Sequence, residues 1–205
     1  LTTAQAVQWL KAKGRPMTDR RQPWYLAVNF VNPHDVMWVN TDALKTIGLT
    51  EAPKTWPDLF AAAKKLRAGG FPNCGFSTTW VTWLNLEQLS AWHNVPLATK
   101  ANGMDGLDAT LEINGPVQVK HIANLAEAQK DKTFDYSGRT STGEGRFTSG
   151  ECPIFLTSSG FFGNVKANAK FDYAAAPMPY YPEVAGAPQN SIIGGASLWV
   201  MGGKK

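Results

Sequence analysis

Apolar positions in this chain alternate between helical spacing and short unbroken runs. Ala6, Trp9 and Leu10 stand at i, i+3 and i+4, which predicts an amphipathic helix over residues 4–13 closed by Gly14. The run Pro23-Trp24-Tyr25-Leu26-Ala27-Val28-Asn29-Phe30-Val31 is short, aromatic and branched, as a buried strand is, and Asn32-Pro33-His34-Asp35 ends it with turn chemistry. Met37-Trp38-Val39-Asn40 reads as a further strand.

Helical spacing then returns. Thr55 and Asp58 make a capping box, Leu59, Ala62, Ala63 and Leu66 share one face, and Gly69-Gly70 ends the helix. A strand over 74–77 leads to a helix over about 79–92 that carries Trp80, Trp83 and Trp92, followed by a loop with Gly103 and Gly106. Pro116 sits at a helix start, and Val119, Ile122, Ala123 and Ala126 predict the apolar face of a helix reaching about Lys130. Residues 153–156 read as a strand, 161–169 as helical, and 172–176 and 197–201 as strands. Strands and helices alternate through 38–205, which predicts an α/β layer architecture. No internal repeat or low-complexity segment interrupts it.

Composition narrows the classes. A chain of 205 residues holds one domain, or one and a half, and 43% hydrophobic residues supply a core that a disordered chain lacks. The net charge of +4 points to no nucleic acid, because the excess is local: five Lys/Arg stand against two acids in 1–37, and the remainder is nearly neutral. Basic residues interleaved with aromatics, as single-stranded nucleic acids require, are not seen. No run of about 18 apolar residues is present to insert in a membrane. The opening LTTAQAVQWLKAKG lacks the basic start, apolar stretch and cleavage site of a signal peptide. Eight Trp exceed what core packing usually needs, which points to a ligand site. Cys74 and Cys152 fit neither a zinc knuckle nor a CxxC pair, and are either two buried thiols or one disulfide.

Four features could carry chemistry. Ser158-Ser159-Gly160 falls at a strand-to-helix turn, where free N–H groups favour an anion, although ordinary N-capping is the plainer reading of the local pattern. Trp80 and Trp83, at i and i+3, share a helix face that either presents indole surfaces to a ligand or packs in the core. Gly194-Gly195 allows close backbone approach or simply turns the chain. His34 after the first strand could contact an anion or act as a general acid, or be an ordinary loop residue. His93 and His121 have no spaced acidic or thiol partners, so no metal is expected, and no cofactor is implied. No Ser-His-Asp or Cys-His arrangement is legible from spacing.

Several stretches together carry a resemblance. They are Lys54-Thr55-Trp56, Trp80-Val81-Thr82-Trp83, Ser90-Ala91-Trp92, Gln118-Val119-Lys120-His121-Ile122-Ala123, Thr157-Ser158-Ser159-Gly160 and the long run from Ala187 to Met201. From Met37 onward the chain resembles the periplasmic glycerol-3-phosphate-binding proteins of ABC importers, which are similar to the maltose-binding type: two α/β lobes hinged around a ligand. The resemblance implies a non-enzymatic, periplasmic binding module for glycerol-3-phosphate or a related glycerophosphodiester, delivered to the importer's permease subunits. It places Trp80 and Trp83 against the glycerol and makes Ser158 and Gly195 polar contacts. Residues 37–205 would be one lobe of that fold, with its apolar cleft surface open and its affinity weakened accordingly.

Residues 1–36 are similar instead to a stretch of a sulfatase, where Pro-His would place His34 near a sulfate ester. The nucleophile motif and the metal carboxylates of that family are absent, so no sulfatase reaction is expected. The chain therefore reads as a composite joined near Val36-Met37, with a helix-strand segment of different origin ahead of the lobe; a sulfatase-type hydrolase fragment using His34, or a fragment that binds nothing, are the alternatives.

Overall fold

The structure, a computed structural model, describes residues 8, 10–20 and 34–192. Residues 8 and 10–20 belong to one compact unit and 34–192 to another. In the first, a π turn at Leu10–Gly14 continues into a helical turn at Arg15–Asp19. Helical backbone thus continues past Gly14, where a stop was expected, as far as Asp19. The strands expected over 23–31 and 197–201 lie outside the described residues.

The second unit is built on a four-stranded sheet of β1 (Asp35–Asn40), β2 (Ser77–Thr78), β3 (Ile154–Ser158) and β4 (Tyr173–Pro177), in the order β2-β3-β1-β4. β1 runs antiparallel to both β3 and β4, while β2 runs parallel to β3. All six β1 residues are buried. The period of two explains how: Met37 and Val39 enter one core with Leu59, Leu66 and Phe76, and Val36 and Trp38 enter a second with Phe147, Phe155 and Phe161. The expected junction at Val36-Met37 falls inside this strand, where Val36 pairs with Thr157 and Met37 with Leu156. Asp35, read from sequence as the end of a turn, opens β1.

Asn40 caps α1 (Thr41–Thr46), its side-chain oxygen accepting from Ala43 N–H at 2.9 Å. α2 (Trp56–Ala68) has the cap, the buried face and the Gly69 terminus that its sequence predicts; Thr55 Oγ1 accepts from Asp58 N–H at 3.2 Å and donates to the Asp58 carboxylate at 2.6 Å. The expected helix over 79–92 is a π turn at Trp83–Glu87 running into α3 (Gln88–Trp92), and Trp80 precedes it with φ +42°.

α4 (Pro116–Lys130) has the expected ends and a different buried face. Gln118, His121, Leu125 and Ala128 face the core, while Val119 and Ile122 are exposed. Polar partners decide this: Gln118 Nε2 donates to Ser90 Oγ at 3.0 Å, and the two His121 ring nitrogens reach Asn85 Oδ1 at 3.0 Å and Tyr181 Oη at 3.1 Å. Buried polar groups with full partners are tolerated where unpaired ones are not. α5 (Glu144–Thr148) and α6 (Phe162–Asn168) supply Phe147 and Val165 to the second core, so helices cover both faces of the sheet. Cys74 and Cys152 are joined in a disulfide, with Cα atoms 5.0 Å apart, which closes the alternatives left by their spacing.

Candidate functional site

The register of β1 and β3 sets Asp35 directly opposite Ser158, 123 positions away in sequence, at the end of the sheet. Asp35 is 2% exposed, and its two carboxylate oxygens are engaged separately: Oδ1 with His34 Nδ1 at 2.7 Å, Oδ2 with Trp83 Nε1–H at 2.8 Å. Burial pushes the Asp35 carboxyl up, and the His34 and Trp83 hydrogen bonds act against that shift. With Nδ1 bonded to the carboxylate, His34 turns Nε2 toward Ser158 Oγ, 3.5 Å away. The His34 and Trp83 rings lie 5.1 Å apart.

Ser158 ends β3 in extended conformation, and its Oγ accepts from Gly160 N–H at 3.0 Å. The capping reading of this serine therefore holds, and its Oγ also lines the cavity beside His34. Trp80 reaches the same place by a different route from the helical one. Thr79 is pinned to β3 through Thr79 N–H to Leu156 O at 3.1 Å and Thr79 Oγ1 to Thr157 Oγ1 at 2.6 Å, and the chain then reverses at Trp80. A left-handed tryptophan costs roughly 1–3 kcal/mol, strain of a kind that gathers at ligand sites. Its side chain is half exposed.

The result is a cavity of about 330 Å³ lined by His34, Asp35, Trp80, Trp83, Leu84 and Ser158. Trp80 and Trp83 also line a larger one, about 670 Å³, with Thr82, Glu87, Tyr136, Arg139 and Thr140. Three of the four expected ligand residues thus meet in one place, joined by His34. Gly195 lies outside the described residues. Asp35, Leu84, Tyr136 and Arg139 were not singled out from sequence; the one available signal was Asp35 itself, next to a histidine and ahead of an apolar run. Another cavity, about 490 Å³, follows β4 but is lined mainly by apolar groups such as Leu44, Ala175 and Met178 and gathers none of the expected residues.

Ser158, His34 and Asp35 stand in the order of a hydrolytic triad, an arrangement spacing alone did not reveal. The 3.5 Å gap is long for a hydroxyl bond, and Ser158 Oγ is already held by Gly160. His93 and His121 are core residues. His93 Nδ1–H donates to Leu89 O at 2.7 Å and its Nε2 accepts from Tyr181 N–H at 2.8 Å, and burial lowers both imidazoles. Among the described residues no cluster of His, Cys, Asp or Glu could hold a metal, and no helix is long and apolar enough to cross a membrane.

Comparison with known proteins agrees with the fold. Solved structures with the same architecture include the GacH receptor of Streptomyces glaucescens, crystallised unliganded and with acarbose (TM-score 0.62, 19% identity, 83% of this chain and 44% of that one), and UgpB from Mycobacterium tuberculosis in complex with glycerophosphocholine (TM-score 0.60, 18% identity, 81% and 40%). Among curated relatives, the sn-glycerol-3-phosphate-binding periplasmic protein UgpB of Salmonella typhimurium is 46% identical over 189 residues, covering 91% of this chain and 43% of its own length. UgpB of Brucella abortus is 48% identical over 170 residues, covering 82% and 39%. The chain thus spans about 43% of the Salmonella relative and less of the Brucella one. An alignment of 189 residues extends beyond 37–205, and the family profile takes in the Pro-His-Asp run; neither supports a sulfatase origin for it. That profile, described as bacterial extracellular solute-binding protein, matches residues 23–205, and the chain belongs to this family of binding proteins.

Proposed function

We propose that this chain is the ligand-contacting lobe of a periplasmic binding protein for glycerol-3-phosphate or a related glycerophosphodiester, which it delivers to the permease subunits of an ABC importer. Trp80 and Trp83 offer indole faces to the C–H bonds of the glycerol, and the Ser158 hydroxyl a hydrogen bond; Gly195 is assigned a further polar contact. The observation that carries this reading is the meeting of Trp80, Trp83 and Ser158 in one cavity, from segments that sequence comparison pairs with glycerol-3-phosphate-binding relatives. Binding needs no cofactor. A lobe desolvates a ligand on one side, so millimolar ligand is the right range.

The test is thermal unfolding of the purified chain with glycerol-3-phosphate, using glycerol and inorganic phosphate as controls. A ligand that binds only the folded state stabilises it by mass action, about 2.7 kcal/mol at a hundredfold excess over Kd. A rise in midpoint specific to the phosphorylated polyol, lost in Trp80→Ala, is the expected result. Equal midpoints with all three compounds would sink the reading.

A further inference from the structure

We propose that the ligand lies across the Trp80–Trp83 wall with a fixed polarity: its hydroxyl end on His34 and Ser158 in the smaller cavity, its phosphate end on Arg139 in the larger. This rests on the function proposed above and adds an orientation and two specificity-determining residues, His34 and Arg139, with Asp35 as the residue that positions the first.

Charge decides the direction. In the smaller cavity Asp35 is the acid, buried and bonded by both His34 and Trp83, and His34 is already engaged by it, so that compartment offers a phosphate no unpaired cation. A phosphate placed there would meet an anion in a poorly screened setting. A hydroxyl would not. His34 Nδ1 is taken up by Asp35, so Nε2 is the ring nitrogen left to bond a ligand hydroxyl, and the 3.5 Å gap to Ser158 shows that no strong bond must be broken first. The larger cavity holds one acid and one base, Glu87 and Arg139, and Arg139 is exposed with no ion pair or hydrogen bond among the described residues. Its planar guanidinium presents paired N–H donors that match phosphate oxygens. The indoles of Trp80 and Trp83 line both compartments, so a three-carbon backbone can lie on them while its ends reach opposite sides.

Asp35 does more here than accept two bonds. It orients the His34 ring and the Trp83 indole together, so one buried group sets both the ring nitrogen offered to the hydroxyl and the apolar wall.

The experiment is calorimetric titration of the full chain and of Arg139→Gln and His34→Ala with glycerol-3-phosphate, its analogue lacking the terminal hydroxyl, and glycerol, each at low and high salt. Arg139→Gln should weaken glycerol-3-phosphate at least tenfold, flatten its salt dependence and leave glycerol unchanged. His34→Ala should keep the salt dependence and erase the preference for glycerol-3-phosphate over the deoxy analogue. Both side chains reach solvent, and circular dichroism confirms that the variants fold. Wild-type affinity and salt dependence in Arg139→Gln, or loss of salt dependence in His34→Ala, would overturn the orientation while leaving the binding function standing. A wild-type chain that binds none of the three compounds overturns both.

Discussion

Mild acid should loosen this fold before its carboxylates begin to titrate, and His121 sets the size of the effect. The side chain has no exposed surface, and burial, with His93 nearby, lowers its pKa from 6.5 to about 3. In the unfolded chain the imidazole titrates near its ordinary value. Between about pH 6.5 and 3 the unfolded state therefore binds a proton that the folded state refuses, and stability falls with pH by about 1.4 kcal/mol per unit. From pH 7 to pH 5 this amounts to about 2 kcal/mol for His121 alone. His93, also lowered by burial, acts in the same direction. Asp35 and Glu144, both raised by burial, act in the opposite one, since the folded state takes up their protons first, but their window opens at the carboxylate end of the range. Urea unfolding at pH 7, 6 and 5 reads the sum: with m near 2 kcal/mol/M, the midpoint should drop by about 1 M. A flat midpoint over that interval, or a folded-state His121 resonance that titrates near pH 6.5, would refute the assignment of this residue as a neutral core group.

Two further outcomes test the frame around the site. Reduction of the disulfide, or Cys74→Ala with Cys152→Ala, frees a link across 78 positions and should cost about 4.5 kcal/mol by loop-closure entropy; an unchanged urea midpoint with and without reductant would show that the link is not formed in solution. Gly75→Ala places a Cβ 2.6 Å from Thr133 O and 2.8 Å from Ala63 O, backbone atoms with no freedom to retreat, so a loss of about 1–3 kcal/mol is expected in thermal melts, and a neutral change would mean the Gly75 packing is misplaced.

What was legible in the sequence was whatever local chemistry suffices to specify. α2 has its cap, its apolar stripe and its glycine stop within fifteen residues, and each does in the structure what it does in a short peptide. α4 shows the limit. Its ends follow from Pro116 and the polar stretch after Lys130, but its inward face follows from Ser90, Asn85 and Tyr181, which lie up to sixty residues away. A rule that sends Val119 and Ile122 inward and His121 outward is sound wherever polar side chains find no partners. Here they find them, and the helix turns by about one position. Trp80 was expected to share a helix face with Trp83 and instead precedes the helix, at the reversal that follows the anchored Thr79.

The site divides in the same way. Trp80, Trp83 and Ser158 stand out one at a time as an aromatic pair and a capping serine, and the family resemblance, not the local pattern, sets them against a ligand. Asp35 does not stand out, because its meaning lies in a pairing register. Read locally, Pro33-His34-Asp35 is a turn; read against β3, Asp35 pairs with Ser158 in the first rung of a ladder that runs to Val39 and Ile154. A strand starting at Met37, as the local pattern suggests, would take the carboxylate out of the sheet. Trp83 would then lose the acceptor for its indole N–H, and His34 would lose the partner that orients it. The extra rung is thus what brings His34 and Asp35 to two conspicuous aromatics and a serine in the proposed site. It also argues that residues 34–36, wherever the chain ahead of them comes from, fold as part of the solute-binding lobe.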